Sequence, residues 1–143
     1  MAGTAIMTDS NCGIMPAEGP EYGIHVLPMP IIIDGKTYFE GVDITPEDFY
    51  SRQISGASIT TSQPSPGDVT AMWDTLLQSF DEIVFIPMSS GLSNTCQTAL
   101  LLAEDEPYRG RVFVWTTTGS PLLRQCPYLT QKLWLLKGKT ELR

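Results

Sequence analysis

The sequence predicts an α/β domain with a largely parallel sheet flanked by helices. Three observations carry this expectation. Two continuous apolar runs, EIVFIPM (82–88) and RVFVW (111–115), have the pattern of strands buried on both faces. Two segments, VTAMWDTLLQSF (69–80) and SNTCQTALLLAED (93–105), have the character of helices and interleave with those runs. The resulting order, β, β-hairpin, α, loop, α, β, α, β, is the alternation that builds a parallel sheet.

The elements follow from the residues in turn. TAIMTDS (4–10) is a short buried strand ending in polar side chains. GIHVLPMPIII (23–33) is rich in β-formers but carries Pro28 and Pro30. Proline has no amide hydrogen to give a ladder, so an edge or irregular strand is expected. Asp34-Gly35-Lys36 turns the chain into TYFEG, completing a hairpin. In ITPEDFYSRQI (44–54), Thr45 caps a helix, Pro46 suits its first position, and Asp48 stands three residues after the cap. Ser65-Pro66-Gly67-Asp68 repeats that start signal, with Val69, Met72, Trp73, Leu76, Leu77 and Phe80 at helical spacing behind it.

A net charge of −7, with no cluster of Lys and Arg, excludes a phosphate backbone as partner, so no nucleic acid is expected. The apolar runs are too short to span a bilayer, so no transmembrane segment is expected. No basic stretch followed by a long apolar stretch opens the chain, which points to a cytoplasmic location. Cys12, Cys96 and Cys126 are three thiols without a C-x-x-C, and His25 is the sole histidine. Free thiols are expected, and no metal site.

Two hydroxyl-rich loops each feed a helix: ITTSQPSPGD (59–68) and PMSSGLSNTCQTA (87–99). Ser93, Asn94 and Thr95 stand at a helix start, where unpaired amides and the helix dipole favour an anion. Neither loop has Lys or Arg, so a single carboxylate fits better than a multiply charged phosphate. The other reading is that both loops simply cap helices, which Ser and Thr commonly do. Signals for catalysis are weak: SSGLS is not a nucleophile elbow, and no phosphate-loop or dinucleotide fingerprint occurs. Cys12 reads as a nucleophile or, more simply, as a small buried thiol. Asp9 would bind a metal or hydroxyl, or orient its own loop. His25, in an apolar stretch, reads as an ordinary strand residue.

At TDSNCGI (8–14), VLPMPIIIDGKTYFEGVDITPEDFY (26–50), TTSQPSPGD (60–68) and SSGLSNTCQTA (89–99) the chain resembles the DegV family of bacterial fatty-acid-binding proteins. The resemblance covers residues 4 to about 115, in family order and spacing. It implies a two-domain α/β protein that is not an enzyme. Such a protein holds one long-chain fatty acid by its carboxylate and presents it to a separate fatty-acid kinase for acyl-phosphate formation. It implies no cofactor beyond the bound acid. In the family the threonine of T-S-Q-P-S and the serine of L-S-x-T bind the carboxylate, which here are Thr61 and Ser93. Asp9, Ser10, Ser62, Asn94 and Thr95 are the expected supporting residues. The alternative is a phosphoryl-transfer subunit on a similar α/β fold, its hydroxyl loops holding phosphate.

The resemblance stops after Trp115, so residues 1–115 form the expected N-terminal lipid-binding domain, without the family's second domain, and 116–143 an atypical tail. Residues 1–116 hold fifteen acidic and four basic side chains, whereas 117–143 hold one and five. Read one nucleotide out of frame, the codons of Trp115 and Thr116 force an aspartate, and later codons permit a family-like continuation. A frameshift product is therefore expected, with a divergent tail as the alternative. Gly119, Pro121 and Pro127 oppose a helix in its first half and leave 128–137 as the one helical candidate.

Overall fold

Apolar side chains fill alternate or successive positions of TAIMTD, EIVFI and VFV, and these three segments lie side by side in one sheet. The computed structural model describes residues 3–12, 14–87 and 93–115. Its elements run β1 (Thr4–Asp9), β2 (His25–Leu27), β3 (Pro30–Ile33), β4 (Lys36–Phe39), α1 (Pro46–Ile54), β5 (Ile59–Thr61), α2 (Pro66–Leu76), β6 (Glu82–Ile86), α3 (Thr95–Ala103) and β7 (Val112–Val114). Short 3-10 turns occupy Ser10–Cys12 and Gly19–Tyr22. The expected features at 88–92 and in the tail from 116, including the helix candidate at 128–137, lie outside the described residues.

The expected α/β class holds. A four-stranded sheet of order β2-β1-β6-β7 is parallel throughout, and a smaller antiparallel sheet has the order β4-β3-β5. On one face of the parallel sheet Met7, Ile83 and Phe85 pack against Val69, Trp73 and Leu76 of α2 and Ala99 of α3. Trp73 is fully buried and meets the rings of Phe85 and Tyr108 edge-on. The opposite face presents Ile6 and Val26 to Ile24, Ile14 and Tyr22. A third cluster, Ile31, Ile33 and Ile44 with Phe49 and Ile59, seats α1 on the antiparallel sheet.

Helix starts match their local chemistry. The Thr45 hydroxyl accepts the Asp48 amide at 3.2 Å. Ser65 and Asp68 form a reciprocal capping box: the Asp68 amide donates to Ser65 Oγ, and the Ser65 amide donates to Asp68 Oδ2, both at 3.1 Å. The Asp34-Gly35 turn takes positive φ at both positions, 49° and 81°, which matches the twist of the hairpin β3–β4.

Other expectations are corrected. Residues 23–33 are not one irregular strand but two strands in different sheets. Leu27 ends β2 on the edge of the parallel sheet, and Pro30 opens β3, which is central in the antiparallel one. Proline is tolerated as a strand's first residue, so the pair of prolines marks a change of sheet. The stretch at 59–61, expected as loop, is β5. The second helix ends at Leu76, so Phe80 lies past it and packs edge-on against His25 at 5.5 Å. The third helix runs Thr95–Ala103 rather than 93–105. The apolar runs are not sealed on both faces: Val84 and Ile86 are half-buried, and Phe113 on edge strand β7 is 48% exposed.

Candidate functional site

In an open parallel sheet, binding sites form where strands end at their carboxyl termini and loops feed helices. Here Asn11 follows β1, Met29 follows β2, and Ser93 and Asn94 precede α3. With Ile31 and Thr61 of the antiparallel sheet, Glu40, Ser62 and Gln63 just past its strands, and Phe49 from α1, they line one cleft of about 440 Å³. The cleft thus lies between the two sheets, hydroxyl-rich on both sides and floored by apolar side chains. A smaller hollow of about 130 Å³, walled by Met15, Ile44 and Tyr50, shares Ile31, Glu40 and Phe49 with it.

The Thr61 loop is held by its ends. Thr61 pairs with Ile31 in the ladder. The Ser62 amide donates to the Pro30 carbonyl at 3.2 Å, Pro64 is buried, and Ser65 is committed to the α2 cap. Thr61, Ser62 and Gln63 are left exposed along the cleft. On the other side, Ser93 Oγ accepts the Thr95 amide at 3.2 Å and lies 2.8 Å from Thr95 Oγ1. Thr95 itself is 1% exposed. Either hydroxyl of this pair can donate to the other, and when Thr95 donates, the Ser93 proton is left for another acceptor.

The expected site residues therefore divide into two groups. Thr61, Ser62, Ser93 and Asn94 line the cleft. Asp9, Ser10 and Thr95 are buried behind it. Asp9 Oδ1 accepts the Asn11 amide at 3.1 Å, which shapes the turn after β1. Ser10 Oγ accepts the Met29 amide at 3.1 Å and donates to Glu40, so one hydroxyl ties the parallel sheet to the antiparallel one. Sequence reasoning missed Glu40, Asn11, Gln63 and the apolar floor. A signal for Glu40 existed: in a hairpin that turns at Asp34-Gly35, it falls opposite Met29.

Cys12 is exposed rather than buried, a correction to the expected buried thiol. It lies on the 3-10 turn after β1, where a short helical turn replaces the strand and faces outward. Desolvation, with the Asp9 charge adding, pushes this thiol up from its ordinary value, the opposite of an activated nucleophile. His25 sits in β2 opposite Met7, and desolvation lowers its basicity. Among the described residues no group of three His, Cys, Asp or Glu side chains could hold a metal, and no helix is long and apolar enough to cross a membrane.

Known proteins share this fold. A DegV domain-containing protein of Caldanaerobacter subterraneus is 41% identical over 110 residues, which cover 77% of this chain and 39% of that protein. A DegV domain-containing 15.5 kDa protein of Staphylococcus aureus is 36% identical over 100 residues, 70% of this chain and 71% of its own. Among solved structures, a fatty-acid-binding DegV family protein from Thermus thermophilus superposes with a TM-score of 0.69 at 28% identity, over 94% of this chain and 52% of that one. DegV of Bacillus subtilis, a fatty acid binding protein, gives 0.67 at 28% identity, over 78% of this chain and 39% of that one. The chain thus spans about half the length of the Thermus protein, and less of the Caldanaerobacter and Bacillus ones. Residues 3–118 match the family described as "Uncharacterised protein, DegV family", and the chain belongs to that family.

Proposed function

We propose that the cleft holds the carboxylate of a long-chain fatty acid, with the Thr61 and Ser93 hydroxyls as donors. The observation that carries this reading is that two hydroxyl loops, distant in sequence, line one cleft whose other wall is Met29, Ile31 and Phe49. A polar end beside an apolar floor suits a molecule with one charged end and a hydrocarbon body. Thr95 supports the role of Ser93 by donating its amide hydrogen to the Ser93 oxygen, and Ser10 supports the distance between the two loops by joining their sheets. Fatty-acid binding by the Thermus and Bacillus relatives adds weight.

In this reading the chain is a carrier and not a catalyst. The acid it holds is presented to a fatty-acid kinase, which forms the acyl phosphate. Residues 1–115 carry the binding function. The phosphoryl-transfer alternative is disfavoured because Glu40 is the one described lining residue with a formal charge, and that charge is negative.

Native mass spectrometry of gently purified protein tests the proposal. A long-chain acid should add its mass to the chain, leave on denaturation, and rebind to delipidated protein. Absence of a lipid adduct together with no rebinding overturns the reading, and a co-purifying phosphate ester favours the alternative.

A further inference from the structure

Glu40 is a carboxylate on the wall of a cleft read as an anion site. Its place follows from the register of the antiparallel sheet. Pro30 is opposite Phe39, so the next pair outward is Met29 with Glu40, and the Glu40 amide donates to the Met29 carbonyl at 3.0 Å. Ile31 is opposite Thr61. Directly opposed residues share a face, as do residues two apart on one strand. Glu40, Met29, Ile31 and Thr61 therefore share one face, and all four line the cleft. Glu40 and Thr61 flank β3 from either side and are offset by two residues along it, so their backbones are roughly 12 Å apart.

The carboxylate is also held there. The buried Ser10 hydroxyl donates to it, and that hydroxyl is fixed in turn by the Met29 amide. Gly41, at φ 73°, turns the chain immediately after Glu40, and its amide closes the turn on the Ile44 carbonyl at 3.2 Å. A Cβ at Gly41 would stand 2.8 Å from Pro16, so the turn accepts little else. These contacts keep a negative charge beside the place where the ligand's own charge would sit.

We infer that Glu40 is a specificity residue that limits the head-group charge the cleft accepts. It admits a singly charged carboxylate and disfavours a dianionic phosphate. The inference rests on the anion-site reading above. Over roughly 12 Å at an effective dielectric of about 20, each unit of ligand charge weakens binding about tenfold. A phosphate monoester carries about −1.5 to −2, so Glu40 disfavours it against a carboxylate by a further three- to tenfold or so.

The test is calorimetric titration of the delipidated full chain at about pH 8, where the phosphate's second pKa of about 6 is well passed. Hexadecanoate, hexadecyl phosphate and hexadecyl methyl phosphate give a carboxylate, a dianion and a singly charged phosphate. Wild type should bind the methyl phosphate more tightly than the dianion. Glu40→Gln, which retains an acceptor for Ser10, should tighten all three and narrow the gap between hexadecanoate and hexadecyl phosphate by about tenfold. An unchanged gap in Glu40→Gln, with hexadecanoate still bound, overturns the role of Glu40 alone. Should that variant not fold, the wild-type comparison decides: a dianion bound as tightly as its methyl ester overturns the inference. Failure of wild type to bind any of the three overturns the carboxylate reading and this inference with it.

Discussion

Replacing Thr61 by valine keeps the side chain's shape and removes its hydroxyl. The position is exposed at the end of β5, and a β-branched residue suits a strand, so stability should change by no more than about 0.5 kcal/mol. A hydrogen bond to a charged group contributes roughly 1.5–3 kcal/mol, so binding of hexadecanoate should weaken about ten- to a hundredfold. Ser93→Ala should weaken binding to a similar degree and also cost stability. Its oxygen accepts the Thr95 amide, and loss of such a contact costs about 1 kcal/mol, or a Tm lower by roughly 4 °C. The double variant supplies the decisive comparison. If both hydroxyls hold one carboxylate, their losses should depart from additivity by more than about 0.5 kcal/mol. Calorimetric titration of delipidated protein measures all four affinities, and thermal melts measure stability alongside. Thr61→Val binding within twofold of wild type would refute the reasoning, as would a Ser93→Ala variant that melts earlier yet binds normally. The second result would leave Ser93 as an acceptor for the first amide of α3 and nothing more.

Three further outcomes follow from the fold. His25 is the sole histidine, so its NMR titration can be read directly, and its midpoint should fall below the ordinary 6.5 because desolvation disfavours the charged ring. With the folded value depressed, its contribution to stability is complete above 6.5 and is lost as pH falls through the folded value; a midpoint at or above 6.5 contradicts this. Burial, then the 2.8 Å bond to Asp74, raises Tyr108 above 10.0, so its contribution is complete below that pH and lost as pH rises past it. Tyr108→Phe should be about 1 kcal/mol less stable near neutrality but show a shallower alkaline loss in urea titrations; an unchanged alkaline slope sinks the assignment. Ser65→Ala breaks the α2 capping box and should lower unfolding free energy by about 1 kcal/mol, against an expected null if solvent replaces the cap without loss.

Local chemistry was legible in the sequence, and long-range pairing was not. Thr45-Pro46 and Ser65-Pro66 announce helix starts through contacts three residues long, and both starts stand where they were read. The hairpin turn at Asp34-Gly35 was legible for the same reason. The effect of Pro28 and Pro30 on a ladder is local and reads as damage to one strand, whereas their effect on sheet membership is long-range and leaves no local sign. The strand β5 is three residues long and carries two threonines between an isoleucine and a polar loop. Nothing within it outweighs a loop reading, and it becomes a strand because β3 offers it a partner. Cys12 was misread because burial of a thiol depends on what packs over it, which no spacing records.

The same distinction resolves the ambiguity of the two hydroxyl loops. A helix needs one cap. In ITTSQPSPGD that cap is Ser65, with its amide and hydroxyl both engaged by Asp68. The hydroxyls upstream of it are therefore not explained by helix initiation. Thr60 points to the opposite face of the sheet from Thr61, since it pairs with Ile32 and alternation separates neighbours. Thr61 and Ser62 remain, exposed and lining the cleft. In SNTCQTA the situation differs, because Ser93 serves the helix start and faces the cleft at once. The bond to the Thr95 amide therefore accounts for Ser93 without a ligand, but helix initiation does not account for Thr61. Thr61 is thus the hydroxyl that a carboxylate explains and helix initiation does not, and Thr61→Val is the variant whose result bears on ligand binding with least interference from folding.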